Sequence, residues 1–325
     1  MFRRKKGAEP PSDRDHQDDP RPAEEKEAAK ASDGQKWRFE EGAEIVPGRQ
    51  ALTLLGSGSD YQAYLAWDTE LHTTVVVKIL RPHLVTERRN LEHLRQEFQT
   101  LKRLSHPVIV RSFGAVTGGP RPHLVLEHLE GPRLSSLIRR YGPLPIEQLL
   151  PLSLQICSAL HYLETQRIVH LDVKPANIVM SASPRLIDFS IARSWKQAVS
   201  LPRGVGTRKY MAPEQCAPGE RGQVASPADI WGLGVTMYKA ITGDMPFPEL
   251  APKEERDPLL KYPQLSMEPA PMPDDVPPQV AEPVMECLAP DPSHRPSAAE
   301  LSEAFQQLVS LLPRARPLGR RRPRP

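Results

Sequence analysis

The sequence has little cysteine. Its 325 residues include only three, and Cys157, Cys216 and Cys287 are widely separated, with no Cys-x-x-Cys pair among them. An odd number of scattered cysteines argues against the disulfide framework that small secreted proteins carry. The cysteine content therefore predicts reduced thiols and a cytoplasmic location.

Long apolar runs are also absent. The sequence contains no run of about eighteen apolar residues, the length that spans a bilayer, so it predicts no membrane-spanning helix. The first residues, Met1–Lys6, include a basic cluster, but no apolar segment follows it. That arrangement does not match a secretory signal.

A strong charge of either sign is missing as well. Lysine and arginine number 43 against 40 acidic residues, which leaves a net charge of +3. Six arginines crowd the C-terminal end: Arg314, Arg316, Arg320, Arg321, Arg322 and Arg324. The remainder is slightly acidic, so the composition predicts no nucleic-acid partner.

Both ends have compositions that disfavour a packed core. Residues 1–44 are charged, rich in proline and alanine, and poor in aromatic residues before Trp37, whereas residues 313–325 form the basic end. Such segments bury too little apolar surface to offset the loss of chain entropy. We expect both to be disordered and ordered structure to begin near Ile45.

Between these ends, the hydrophobic pattern predicts strands followed mainly by helices. Strands are predicted around Leu52–Leu55, Tyr64–Ala66, Val75–Val77, Val108–Val110 and Leu124–Leu126. Helices are predicted over Leu91–Leu104, Leu134–Arg139 and Ile146–Thr165. Pro246–Pro283 is crowded with proline, which interrupts helices and sheets, so an irregular insertion is expected there.

Chemistry-bearing residues are concentrated in three short motifs. The first is His170-Leu171-Asp172-Val173-Lys174-Pro175-Ala176-Asn177, followed by Asp188-Phe189-Ser190 and then Ala212-Pro213-Glu214. Phosphoryl transfer needs a positioned nucleophile and cations that neutralise the transferring group. An aspartate that accepts a hydroxyl proton, with an Asn and an Asp to bind Mg²⁺, meets that need.

The order and spacing of these motifs resemble those of eukaryotic-type protein kinases. The resemblance implies an α+β, bilobal fold, with a small β-rich lobe over residues 45–127 and a larger helical lobe over residues 128–312. It also implies ATP and Mg²⁺ as cofactors, with Mn²⁺ as an alternative metal. Lys174 and the segment Gly206–Met211 resemble the serine/threonine-specific members, which act on protein Ser and Thr hydroxyls.

The resemblance assigns a role to each residue of the catalytic motifs. Asp172 would be the base, and Lys174 would steady the transferring phosphoryl group. Asn177 and Asp188 would hold the metal ions. Glu214 is expected to pair with Arg295, and Asp229 to brace the catalytic loop, as structural contributions.

The strand-rich half carries residues that the resemblance assigns to the nucleotide. Gly56, Ser57 and Gly58 would approach the phosphates through their backbone N–H groups. Lys78, at the end of Val75-Val76-Val77-Lys78, would contact the α- and β-phosphates and pair with Glu97.

The same loop departs from the family pattern at two positions. Asp60 and Tyr61 stand where an aromatic residue and a third glycine are usual. An acidic group near the γ-phosphate and a bulky ring in the turn predict weaker ATP binding than is typical of the family.

The adenine pocket shows a paired exchange. Ala63 and Val76 occupy positions where the family usually has valine and alanine, so the total side-chain volume is kept. A filled adenine pocket is therefore expected. By the same resemblance, Leu126 would be the gatekeeper, the backbone of Glu127 and Leu129 the hinge, and Val179 the floor.

Leu171 replaces the arginine that usually precedes the catalytic aspartate and binds a phosphorylated activation loop. Leucine cannot make such a pair. The sequence thus predicts activity without activation-loop phosphorylation, although Ser194, Ser200 and Thr207 are present.

Ser190 stands where the family usually has a glycine. The change would remove backbone freedom but no metal ligand.

Two basic residues bear on the choice of substrate. Arg133 and Lys239 lie at positions that are often acidic in kinases preferring basic peptides, so acidic or pre-phosphorylated substrates are expected.

The alternative interpretation of the whole sequence is a pseudokinase that serves as a scaffold, which Asp60, Tyr61 and Ser190 favour. The sequence does not predict an oligomeric state.

Overall fold

A computed structural model describes residues 36–250, residue 252 and residues 255–311. The two predicted tails lie outside the described residues, except for residues 36–44 of the first. Within the described residues, no helix is both long and apolar enough to cross a membrane.

Ten strands and nine helices are found in this part of the chain, apart from short 3₁₀ turns. The strands are β1 (Glu44–Val46), β2 (Arg49–Ser57), β3 (Tyr61–Asp68), β4 (Thr73–Leu80), β5 (Ser112–Val116), β6 (His123–Glu127), β7 (Ile168–Val169), β8 (Ile178–Val179), β9 (Arg185–Leu186) and β10 (Arg193–Ser194). The helices are α1 (Arg88–Arg103), α2 (Leu134–Tyr141), α3 (Ile146–Thr165), α4 (Trp195–Val199), α5 (Pro213–Cys216), α6 (Ser226–Thr242), α7 (Pro258–Lys261), α8 (Pro278–Glu286) and α9 (Ala298–Leu311).

The first lobe is a six-stranded antiparallel sheet in the order β1-β2-β3-β4-β6-β5. Alternation along each strand gives the sheet two different faces. Tyr64, Ala66, Val75 and Val77 are fully or nearly fully buried in an outer core cluster. The opposite face of the sheet carries Lys78 and faces α1 and the second lobe.

Helix α1 forms because its apolar residues recur at helical spacing. Leu94 and Leu101 are buried against the sheet side of the lobe, and Glu97 lies on the same face, three residues after Leu94 and four before Leu101. A glutamate thus enters the lobe's interior, where it requires a partner.

The small lobe begins earlier than expected. Composition placed the start near Ile45, but Trp37 already packs against the outer core cluster with Phe39. The Trp37 indole N–H donates to the carbonyl of Leu80 at 2.7 Å, and the backbone of Trp37 exchanges hydrogen bonds with the Gln62 side chain. The expectation that residues 36–44 are disordered is therefore wrong. Two aromatic rings in this segment bury apolar surface, although residues 1–44 as a whole are poor in aromatic residues.

The second lobe is helical. Helix α3 packs against α6 and α9, and Trp231 of α6 is almost completely buried. The expected bilobal α+β architecture is present, and Lys78 of the sheet contacts Asp188 of the second lobe across the cleft. The short strands β8 and β9 pair with each other just before Asp188.

Two local predictions are wrong. Val108–Val110 is not a strand: Ile109 makes one isolated bridge to Leu186, and the regular strand starts at Ser112. Pro246–Pro283 is only partly irregular, since α7 lies within it and α8 begins at Pro278. Proline is tolerated in the first turn of a helix, where its missing N–H has no intrahelical partner.

Candidate active site

Lys78 joins three separate elements at the cleft. Strand β4 holds it between Ala63 of β3 and Leu124 of β6. Its ammonium Nζ donates to both carboxylate oxygens of Glu97 at 2.8 and 2.9 Å, and to Oδ1 of Asp188 at 3.0 Å. The strand, α1 and the second lobe are thereby tied to one cation.

The carboxylates govern the charge state of this cation. Burial alone would lower the pKa of Lys78, but the negative charges of Glu97 and Asp188 outweigh it and the pKa is raised. Burial likewise opposes ionisation of Asp188, yet the nearby Lys78 ammonium lowers the Asp188 pKa below its ordinary value. Both groups are therefore charged at neutral pH.

A short hairpin places Asn177 beside Asp188. Asn177 directly precedes β8 and Asp188 follows β9 by two positions, and the backbone N–H of Ile187 donates to the carbonyl of Asn177 at 2.9 Å. The Asn177 amide nitrogen donates to the carbonyl and to Oδ2 of Asp172, both at 2.9 Å. Its amide oxygen consequently points away from Asp172.

Asp172 is held by neighbours on several sides. Lys174 Nζ donates to Oδ2 at 2.6 Å, and the Thr207 hydroxyl donates to Oδ1 at 2.6 Å. The preceding residue, Leu171, has a φ of 67°, which is unfavourable for a residue with a side chain. Asp229 stabilises this conformation, because its two carboxylate oxygens accept the N–H groups of His170 and Leu171 at 2.7 Å each.

Thr207 contacts Asp172 and Lys174, a role that the sequence did not predict. It was noted only as a phosphorylation candidate, but its hydroxyl lies between Asp172 and Lys174, with Lys174 Nζ at 2.5 Å. Gly206 permits this approach: its φ is 139°, and a Cβ there would lie 2.9 Å from the Leu171 carbonyl oxygen. The glycine preceding Thr207 was the available signal.

Three of the residues predicted to contact adenine, Ala63, Val76 and Leu126, lie in neighbouring strands of the sheet. Ala63 lies opposite Lys78 and Val76 opposite Leu126 in the sheet, so these side chains share one region of its inner face. Leu126 and Leu129 pack against the main core cluster. Arg133 forms an isolated backbone bridge to Val179.

The predicted hinge residue Glu127 is held by backbone and side-chain hydrogen bonds. Its carboxylate accepts the Arg111 N–H at 2.8 Å, and its own N–H donates to the Arg111 carbonyl at 3.0 Å. The backbone at this turn is therefore held in place beside the cleft.

Gly56 and Gly58 are not required by the fold. Neither has a positive φ; a Cβ at Gly56 would meet nothing within 4 Å, and one at Gly58 would only touch the Tyr61 carbonyl oxygen at 3.8 Å. Ser57, between them, lies with its hydroxyl 3.2 Å from Arg81 Nη2. Because these two residues have no side chain, the backbone N–H groups of the loop stay accessible to a ligand in the cleft.

Ser190 contributes more than was expected. Besides replacing a glycine, its side chain helps to lower the pKa of the Asp188 carboxylate. The substitution thus supports the ionised form of Asp188.

An apolar cluster holds the segment that follows Ser190. Leu171, 3% exposed, is buried with Ala198, Ala212 and Trp231, and the partly buried residues packed against this cluster include Ile191, Trp195, Leu201, Tyr210 and Met245. The position at which an arginine is usual is therefore filled by hydrophobic contacts.

Glu214 and Arg295 form a pair whose side chains are fully buried. The guanidinium donates to both carboxylate oxygens at 2.7 and 2.9 Å and stacks over the Trp231 ring, with 5.0 Å between Cζ and the ring centroid. This pair anchors α5, and with it the end of the Thr207 segment, to the second lobe.

Comparison with known proteins identifies the family. The model for the protein kinase domain matches residues 49–305, well over half of the chain. The chain belongs to the protein kinase family.

Similar curated proteins are bacterial serine/threonine kinases. The chain is 34% identical to serine/threonine-protein kinase PknB of Mycobacterium leprae over 203 residues, 60% of this chain and 32% of that protein. It is 33% identical to PknA of Mycobacterium tuberculosis over 297 residues, 86% of this chain and 64% of that protein. The chain thus spans about a third of the length of the PknB relative and under two thirds of the PknA relative.

Proposed function

We propose that this chain is a bacterial-type serine/threonine protein kinase that transfers the γ-phosphate of ATP to protein hydroxyls. The observation that carries the proposal is the junction at Lys78. One cation is shared by Glu97 of α1 and Asp188 beside the hairpin, and the Asn177–Asp172 contact continues the arrangement into the catalytic loop. An unrelated binding protein has no need to bring these groups together.

The donor set fits a nucleotide and a divalent cation. Asp188 is ionised and the Asn177 amide oxygen is turned away from Asp172, so both offer the oxygen ligands that Mg²⁺ prefers. When bound, the metal would neutralise charge on the phosphates. We propose Mg²⁺ as the metal, with Mn²⁺ as the alternative, held by Asn177 and Asp188.

The remaining residues position the substrates. Lys78 would contact the α- and β-phosphates, with Gly56, Ser57 and Gly58 above them. Ala63, Val76, Leu126 and Val179 would enclose the adenine, and Glu127 and Leu129 would offer backbone groups at the hinge. Asp172 would accept the proton of the attacking hydroxyl while Lys174 steadies the transferred group.

Asp172→Asn tests the proposed base with little change of shape. The amide cannot accept the hydroxyl proton, so kcat for phosphorylation of a generic protein substrate should fall by about 10²- to 10⁴-fold. Transfer of radiolabelled γ-phosphate measures it, with Asp275→Ala as a control at an exposed aspartate. Equal, measurable transfer by wild type and Asp172→Asn would reject Asp172 as the base, whereas no transfer above background by either protein would favour a scaffold over an enzyme.

Phosphorylation of the activation segment is not part of this proposal. The apolar cluster around Leu171 supports an active arrangement that needs no phosphate. A phosphate on Thr207 would instead place negative charge beside the Asp172 carboxylate.

The expected result is that phosphatase-treated protein retains its kcat, and that the variant with Ser194→Ala and Ser200→Ala remains active. Ser194 caps α4 by hydrogen bonding with Gln197, so a small loss of stability, about 1 kcal/mol, is expected from its replacement. Loss of activity after phosphatase treatment, restored by rephosphorylation, would contradict this account.

Acidic or pre-phosphorylated substrates are the proposed class. Arg133 is exposed, and Lys239 is half-buried with its ammonium beside the Met245 sulfur. Directly after Thr207, Arg208 and Lys209 both bind the Glu249 carboxylate, at 2.6 and 2.5 Å. Since Thr207 touches the proposed base, an acidic residue near the acceptor would meet these two cations.

Peptides with acidic residues flanking the serine should therefore have lower KM values than peptides with arginine there. Glu249→Ala should lower KM for the acidic peptide by at most about fivefold, because it frees Arg208 and Lys209 and because ion pairs at the surface are weak. The matched control is Glu220→Ala, at an exposed glutamate outside the cluster. Selection for upstream arginine in a peptide array would reject the assignment.

A cytoplasmic location belongs to the same proposal. Cys157, Cys216 and Cys287 are free and buried, as suits a reducing compartment.

We also propose that the small lobe ends near residue 127 and that the larger lobe follows from residue 128.

A further inference from the structure

Tyr61 stands where the family usually has a glycine, and its side chain enters the protein. It is the first residue of β3 and lies opposite Leu80 of β4. The next residue, Gln62, points to the outer face, where it bonds to Trp37. By alternation, Tyr61 points to the inner face, toward Lys78 and α1.

The ring closes the remaining side of the Lys78 ammonium. An ammonium has three N–H donors. Two of those on Lys78 point to the Glu97 carboxylate and the third to Asp188. The Tyr61 ring centroid lies 4.8 Å from the same nitrogen, within the range of a cation–π contact.

The ring, rather than the hydroxyl, makes the contact. Tyr61 packs against the main core cluster, to which Leu80 and Leu94 belong. Its hydroxyl oxygen is buried and has no hydrogen-bond partner among the described residues. Burial and the negative charge of Glu97 raise the pKa of the phenol, so it stays neutral.

We propose that Tyr61 is a positioning residue whose ring excludes water from the Lys78–Glu97 pair and keeps α1 against the sheet. Water weakens an ion pair by raising the local dielectric constant. A ring with a negative π face excludes that water and also attracts the cation. The proposal deepens the kinase assignment and rests on it.

A direct consequence is that restoring the family's glycine harms the enzyme. Tyr61→Gly opens a path for water to the pair and removes packing beside Leu80. If the ring merely obstructed the phosphates, the same change would raise activity. The two roles therefore predict opposite results.

The test compares Tyr61→Phe, Tyr61→Leu and Tyr61→Gly in the full chain, with Tyr141→Leu as the matched control at a tyrosine that is 70% exposed. Phosphorylation kinetics give kcat and the KM for ATP separately. Tyr61→Phe should keep the wild-type kcat. Tyr61→Leu and Tyr61→Gly should lower kcat by about thirtyfold, the loss expected for a desolvated cation–π contact.

A second readout does not depend on activity. Backbone hydrogen exchange over residues 92–101 of α1 should be faster in Tyr61→Gly and Tyr61→Leu than in wild type or Tyr61→Phe, and the difference should grow when salt is added. Tyr61→Leu covers the case in which the glycine variant does not fold, since leucine keeps apolar volume without a ring.

The outcomes separate the two proposals. If the wild type transfers no phosphate but α1 still loosens in Tyr61→Leu, the kinase assignment fails and the positioning role stands. If Tyr61→Leu matches wild type in kcat and in exchange, or if Tyr61→Gly is faster than wild type, the role of Tyr61 is overturned.

Discussion

The ion pair between Lys78 and Glu97 is the contact on which the rest of the cleft depends. Glu97 is 1% exposed and lies on the buried face of α1, so without Lys78 the lobe would contain an unpaired carboxylate. Removing one partner of a buried pair typically costs about 3–5 kcal/mol. Since Lys78 also reaches Asp188, the position of α1 and that of the second lobe's hairpin are set by one nitrogen atom.

Apolar packing supports this arrangement at both ends of the site. In the second lobe, Leu171 and its cluster hold the segment that follows Ser190. In the first lobe, Trp37 bonds to Gln62 and Leu80, so the outer side of β3 is fixed just behind Tyr61. Hydrophobic contacts of this kind need no charged partner.

The sequence predicted the residues whose neighbours are set by short spacing. Asp172 and Asn177 lie in one loop, and Asp188 reaches them through a hairpin that follows immediately, so their proximity is local. Tyr61 and Thr207 were recognised but given other roles, because their contacts depend on packing between distant segments: Thr207 meets Asp172 across 35 residues. Val108–Val110 has strand-forming residues, but its strand-like pairing is limited to Leu186, which bonds to the Val108 carbonyl and the Val110 N–H and so forms one isolated bridge at Ile109.

The central claim is that the Glu97 carboxylate organises the site by holding Lys78. The most direct measurement is the single-turnover rate of phosphoryl transfer by Glu97→Gln, at saturating ATP and magnesium, with Glu92→Gln on the exposed side of α1 as the control. The account predicts a rate at least about 100-fold below wild type, because a neutral amide cannot replace the paired charge at a preorganised phosphoryl-transfer site. A Glu97→Gln rate equal to that of wild type, in a protein that folds normally, would contradict it.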